Sequence, residues 1–396
     1  MKRVLILALL ASITLPVAEA APKALPVQLG SIYSAPADTE LFLATSKSSI
    51  FISNPTATSS NIEVISVDLT GTQLWQRTID SGVDEVATAT TLDPQGNIWL
   101  AGSVASSATS ETLTSIAGID NPDLVSIDAS PNLRSDMKNL ALWKISASGE
   151  PLGIFIFALK SVPMITAISA TNSGISAIGV LDSKPFVISA TTSGTFSKMI
   201  SIGTSKTELN ALSRNSDGTL SLFGSSSETL AGKKVAGIRD GVLIKLSKSG
   251  AITSLVRSSA LKASRSWISG DAAHLLSGPV MTGKSAETAI TKFTTKFVPS
   301  WTLRVPSTGA STTLTANGNS YLALTSRSAI TGVSGWKPIQ PSLLVITFDR
   351  KGVMKAVTAL PGLVTPISLH YSSVRGVVGL ASSADGTVSI FTLASR

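Results

Sequence analysis

The chain has 396 residues, a formal net charge of +8 and no cysteine, which excludes a disulfide framework, a thiolate metal site and a lipid anchor on a lipobox cysteine. Charged residues make up 14% of the chain and form neither a Lys/Arg run nor a basic helix. No basic stripe interleaved with aromatics is present, so nucleic acid is not an expected partner. The modest positive excess fits loose attraction to an anionic cell envelope or simple solubility.

The first twenty residues read as a secretory signal. Lys2 and Arg3 give a positive n-region, Val4 to Leu15 an apolar run, Pro16 a break, and Ala18-Glu19-Ala20 a small-x-small cleavage signature. The apolar run is shorter than the roughly 20 residues that span a bilayer, so an uncleaved anchor is the weaker reading. No second long apolar segment follows. The expectation is one domain over 21–396, without a transmembrane segment, monomeric, and exported to the outside or to the cell envelope. A chain of this size buries enough surface to do without disulfides.

Ala24 to Tyr33 reads as an extended segment. Beyond it, short β-branched runs punctuated by Gly, Asn, Asp and Ser replace helical periodicity. They fall into two alternating segment types. The first is clearest at 86–102, where two strands flank Asp93-Pro-Gln-Gly96-Asn97, with relatives at 41–53, 165–179, 209–224, 267–278, 311–324 and 367–380. The second is a strand, a tight turn and a strand, centred on Gly71, Gly149, Gly194, Gly250 and Gly352, with a last copy beginning at Thr387. Glycine supplies the positive φ that such hairpins need. The copy over 289–305 departs, with Lys296-Phe297 where the others have glycine.

Paired, the two types make units of four strands starting near residues 38, 84, 162, 206, 263, 309 and 364. The intervals are 46, 78, 44, 57, 46 and 55 residues, against about 40–50 for propeller blades, and the excess falls in the connection between second and third strands. The expected fold is therefore all-β, a seven-bladed β-propeller of four-stranded blades. The last unit lacks a fourth strand and the segment from Ala24 is one to spare. Pairing the two would complete the last blade and close the ring. Two β-sandwiches are the competing architecture.

The core at 84–102, with Asp93, Gly96, Asn97 and the aromatic that follows, resembles the SBBP family of bacterial β-propeller repeats. So does the passage from Ser225 to Asp240-Gly-Val-Leu-Ile-Lys-Leu-Ser-Lys-Ser-Gly250. The resemblance spans most of the mature chain, is close only in those two units, and is weakest in units three and five. It implies a propeller on an exported or cell-surface protein and supplies no catalytic residue set.

No motif for chemistry stands out. His274 and His370 fall within predicted strands, belong to no metal-ligand spacing and read as structural. No nucleophile elbow, phosphate loop or dinucleotide fingerprint is present, so neither catalytic residue, metal nor cofactor is assigned. The turns at Asp217-Gly218 and Asp385-Gly386 read as register-fixing hairpin turns.

The candidates for ligand contact lie elsewhere. Asp84, Glu85 and Glu208 start innermost strands and would face the channel mouth. The connections over 105–138, 227–239 and 327–340, in alternate units, would emerge on that same face, and long loops on rigid scaffolds commonly bind. The first carries Asp120, Asp123, Asp128 and Asp136, without the alternation of a calcium loop. The second carries Lys233, Lys234 and Arg239, and the third Trp336 and Lys337. Trp336 is the leading contact, because aromatic side chains anchor interfaces. Trp75, Trp99, Trp143 and Trp301 lie in predicted strands and are expected to pack between blades. The function read from this is a non-enzymatic binding module for a protein or glycan of the cell envelope. The alternative is an enzyme acting on envelope polysaccharide through channel-facing carboxylates.

Overall fold

The computed structural model describes residues 24–55, 60–106, 136–259 and 261–393; the expected signal at 1–20 lies outside them. Every regular element among the described residues is a strand, and the strands group into seven sheets. In chain order these span 41–79, 85–158, 164–201, 207–258, 263–306, 311–360 and 363–392. Within each sheet successive strands pair antiparallel, across short turns except where longer connections join the second and third strands of the second, fourth and sixth sheets. The second strand is covered on both sides: Ile98–Val104 and Leu220–Ser226 are buried at every residue. This is why those segments read as unbroken runs of apolar and small residues rather than alternating ones.

The innermost strands, among them Glu85–Leu92, Met164–Thr171 and Thr207–Arg214, each pack against the innermost strand of the next sheet. One apolar cluster fills each contact between neighbours. Phe42, Ala44 and Phe51 of the first sheet meet Val378, Leu380 and Ile390 of the last. The circuit of sheets is thus closed by packing. At roughly 1.5–3 kcal/mol for each fully buried large side chain, these clusters replace the missing disulfides.

The N-terminal segment closes the circuit in two halves. Ser31–Ser34 pairs antiparallel with Val388–Thr392 and is the fourth strand of the last sheet. Leu25–Leu29 does something the sequence reading does not anticipate: it pairs parallel with Met354–Leu360, on the outer edge of the sixth sheet. Gly30 is the crossing point. A Cβ there would stand 2.6 Å from Leu360 Cδ2 and 2.9 Å from the carbonyl oxygen of Thr392.

A repeated device joins neighbouring sheets. The innermost strands of sheets two, three and four bulge at Thr88, Thr166 and Asn210. Each bulged side chain donates to the next sheet: Thr88 Oγ1 to the Ile165 carbonyl at 2.8 Å, Thr166 Oγ1 to that of Leu209 at 3.2 Å, and Asn210 Nδ2 to that of Trp267 at 3.0 Å. The facing strand carries Gly102, Gly179 or Gly224, where a Cβ would lie 1.8, 2.3 or 1.9 Å from a bulge carbonyl.

Two local expectations are corrected. His274 is not in a strand; it closes the turn that begins at Asp271, with φ 57° and its N–H donated to the Asp271 carbonyl. The innermost strand of the fifth sheet does not start at Trp267; it is broken into Ala263–Arg265 and Ser269–Gly270 around that buried indole. The same sheet also places Phe297 at φ 59°, in a turn where its neighbours use glycine. His274 and Phe297 are both buried and meet edge to face at 5.3 Å. Burial of two rings holds a backbone conformation that costs roughly 1–2 kcal/mol for a side-chain-bearing residue.

Candidate functional site

Antiparallel sheets divide their connections between two faces. Links from first to second and third to fourth strands emerge on one, the turn face. Links from second to third strands, and from each sheet to the next, emerge on the other, the loop face. All eight sequence candidates belong to the loop face.

The connection over 227–239 is built as a rigid finger. Leu230 is buried in the cluster between sheets three and four. Leu230 and Lys233 exchange backbone hydrogen bonds across Ala231-Gly232, both at positive φ, which makes a tight two-residue turn. Beneath it, Asp240 and Arg257 form an ion pair at 3.4 Å, with side chains 0% and 7% exposed. The N–H groups of Ala236 and Gly237 donate to the Asp240 carboxylate, each at 2.9 Å. Burial pushes that carboxyl up, but these donors, the Ser259 hydroxyl and Arg257 outweigh it and hold it below the ordinary range. Arg257 also donates Nε to the Lys233 carbonyl at 3.2 Å, and Nη2 to the carbonyl of Glu228. The Glu228 carboxylate accepts from the Thr204 N–H and from the Thr207 hydroxyl. With the loop's backbone satisfied from below, Lys233 and Lys234 stand exposed at its end.

Arg239 and Glu208 are brought together. Arg239 Nη1 lies 2.6 Å from Glu208 Oε1 and 3.1 Å from Ser225 Oγ. Both side chains are partly exposed, so the pair is worth at most about 1 kcal/mol. Asp84 and Glu85 are not part of this group: they start the second sheet, with the third between them and Glu208. Asp84 accepts the Ser60 N–H at 2.8 Å. Glu85 is fully buried and its Oε1 accepts from Ser81 N at 2.6 Å and from the Ser81 hydroxyl; its Oε2 has no partner among the described residues. The three carboxylates therefore hold local loops and do not converge on one point.

Trp336 is a strut. Its Nε1 donates to Ser326 Oγ at 2.8 Å, and its ring packs half-buried against the cluster of the fifth and sixth sheets. Lys337 beside it is exposed, as is Ile339. Asp120, Asp123 and Asp128 lie outside the described residues. Among the described residues no three His, Asp or Glu gather as metal ligands, and no helix is long and apolar enough to cross a membrane.

Sequence reasoning missed the anchors of both loops. Leu230 and Ile330 are buried at the same place in the fourth and sixth sheets, each two residues before a positive-φ glycine, Gly232 or Gly332. That shared spacing, Leu/Ile-x-Gly, was the available signal. Arg257 carried none, because its partners are 17 or more residues away in sequence.

A cleft of about 660 Å³ opens on the turn face between the last and first sheets, lined by Tyr33, Phe51, Asp68, Gly71 and Arg375. At other junctions an outer-strand ring covers the next sheet's turn glycine, as Trp75 covers Gly149 and Trp301 covers Gly352. Gly71 has no such cover.

No protein-family model and no curated relative matches the chain. Solved structures do. A Bacteroides uniformis protein provisionally named a 6-phosphogluconolactonase matches with TM-score 0.50 and 10% identity, over 88% of this chain and 92% of its own. The β-propeller domain of the Trilobed protease from Pyrococcus furiosus, described as having an open velcro topology, gives 0.49 at 9% identity, over 93% and 95%. BBS1N, solved in complex with ARL6DN, gives 0.47 at 10% identity, over 93% and 98%. Identities this low concern the fold alone. The closed circuit of four-stranded antiparallel units makes this chain a β-propeller.

Proposed function

We propose that the chain is an exported, non-enzymatic binding module of the cell envelope: a closed ring of seven SBBP-type blades that engages an envelope protein or glycan through its loop face. The observation that carries this reading is the finger at 227–239. Its base is a buried ion pair and its backbone is bonded to the scaffold, while its tip offers two lysines to solvent. A loop held in one conformation before it meets its partner loses little entropy on binding. Carboxylates engaged separately, Glu208 by Arg239 and Glu85 by Ser81, do not favour the enzymatic alternative.

Thermal melting of residues 21–396 against envelope glycans and envelope protein fractions tests the reading, since a ligand of the folded state raises the melting temperature. A shift lost in Lys233→Glu/Lys234→Glu supports it. A shift that survives that variant but disappears in Glu208→Gln places recognition at the channel mouth instead, and ligand turnover would make the protein an enzyme.

A further inference from the structure

The charge of this protein looks scattered along the sequence, and the fold sorts it. Among the described residues, twelve lysines and arginines but only six carboxylates lie in the turn-face turns or within two residues of them. The rest of the described residues carry fifteen cations against thirteen carboxylates. Most of the net positive charge therefore sits on one end of the ring.

Five of the six carboxylates are engaged within their own turns, and the sixth, Glu150, pairs with Arg77 at 2.8 Å. Asp68, Asp93, Asp217, Asp271 and Asp349 each accept an N–H of their own turn. The cations, by contrast, point to solvent at Lys47, Lys198, Lys248, Lys296, Arg350 and Lys351, spread over five of the seven sheets.

Apolar tips stand between them. Leu69, Leu74, Leu152, Val298, Val353 and Val374 belong to turn-face turns or the residues beside them, and are 39–66% exposed. Lys296 is followed after one residue by Val298, and Lys351 by Val353, so charge and aliphatic tip alternate within single turns. Shallow apolar insertion combined with basic side chains is the pattern of a surface that lies on an anionic bilayer. The cations are arranged around a ring rather than along a stripe, which matches a sheet of headgroups better than a linear polymer.

We propose that the turn face docks on an anionic lipid bilayer, with the aliphatic turn tips at headgroup depth and the lysines and arginines on lipid phosphates. Docking this way would hold the protein at a membrane without a spanning segment and aim the loop face outward. The inference stands on charge placement and exposure, and does not depend on what the loop face binds.

Co-sedimentation with vesicles of equal parts phosphatidylcholine and phosphatidylglycerol, against phosphatidylcholine alone, tests it at about 0.1 M salt, where surface charges still act over about 10 Å. The full-length mature protein should sediment with the anionic vesicles and be released by high salt. Lys248→Glu/Lys296→Glu/Lys351→Glu should weaken binding on the order of a hundredfold, from about fivefold for each cation removed. Lys184→Glu/Lys206→Glu/Lys284→Glu makes the same charge change on the loop face and should leave most of the binding. Val298→Ser/Val353→Ser should weaken it several-fold with no charge change. Each variant is melted first, to show that it folds as the parent does. No preference for anionic vesicles, or equal loss in both charge variants, would overturn the proposal. So would binding to soluble dextran sulfate without binding to vesicles, which would make the face a polymer site.

Discussion

Trp75, in the outer strand of the first sheet, lies across Gly149 in a turn of the second, so that a Cβ on Gly149 would stand 2.6 Å from the indole. Trp75 Nε1 donates to the Ala147 carbonyl at 3.2 Å, and Arg77 Nε to that of Gly149 at 2.9 Å. The glycine is thus required twice: by φ 86° in its own turn and by a ring from the neighbouring sheet. Trp301 stands over Gly352 in the same way. In the fourth sheet, register puts Ser254 opposite Lys245, as Trp301 is opposite Lys292. That small residue coincides with the one turn, in the fifth sheet, where the glycine is replaced by Phe297.

Gly149→Ala and Gly71→Ala separate the two requirements. Both alanines must adopt a left-handed backbone, at about 1–2 kcal/mol. Only the first meets a ring, since nothing lies within 4 Å of a Cβ at Gly71. Urea unfolding should show Gly149→Ala less stable than Gly71→Ala by about 1–3 kcal/mol, the usual cost of overpacking. Equal losses would mean that the indole moves aside freely.

The strands and turns were legible because their causes are local. Asp93 accepts the N–H groups of Gln95 and Asn97 within its own turn, and such a turn is written in five residues. What could not be read depends on residues brought together from afar. Gly30 is unremarkable until Leu360 and Thr392 are placed against it. Trp336 read as a ligand contact because it is an aromatic in a polar loop, yet Val333–Ser334 beside it pairs with Leu25 and Pro26 from the other end of the chain. The basic turn face was invisible for the same reason. Its cations are spaced singly or in pairs along the sequence, and only the alternation of connections gathers them.

His370 predicts an acid-sensitive step. It is half-buried, edge to face with Phe42 at 5.4 Å, and its buried Nε2 has no partner among the described residues. Burial pushes its pKa down to about 4, against a weaker opposing hydrogen bond with the Phe42 backbone. The unfolded chain takes up this proton near pH 6.5 and the folded protein only near 4. Stability from this group is therefore complete above pH 6.5 and lost as pH falls from there to 4, by roughly 3 kcal/mol in all. Urea midpoints of the parent and of His370→Phe at pH 7 and pH 4.5 should differ in slope, the variant losing less on acidification. Parallel losses would assign the acid sensitivity to carboxylates alone.

Arg257 and Arg239 should behave oppositely despite lying on the same finger. Arg257→Leu leaves Asp240 buried without its cation and frees the carbonyls of Glu228 and Lys233. The expected loss is about 3–5 kcal/mol, with faster proteolysis within 227–239. Arg239→Leu breaks a partly exposed pair and should cost at most about 1 kcal/mol. Comparable effects in melting and limited proteolysis would show that the buried pair does not hold the finger.

The strand pairing that adds to closure of the ring passes through one position without a side chain. Gly30 carries the chain from the sixth sheet to the last, and a methyl group there meets a backbone oxygen, that of Thr392, as well as a leucine side chain. Leu360 can turn away, but the Thr392 carbonyl is fixed by its strand. Gly30→Ala should therefore separate the two N-terminal strands from their partners at a cost of about 1–3 kcal/mol. The damage should be local, because the first and last sheets also pack through Phe42, Phe51, Val378 and Leu380. Hydrogen exchange read by mass spectrometry should show faster exchange at 25–34 and 388–392, with the sheets opposite, 164–258, unchanged. Unaltered protection at 388–392 would mean that the apolar cluster alone closes the ring and that the N-terminal strand merely lies on its edge.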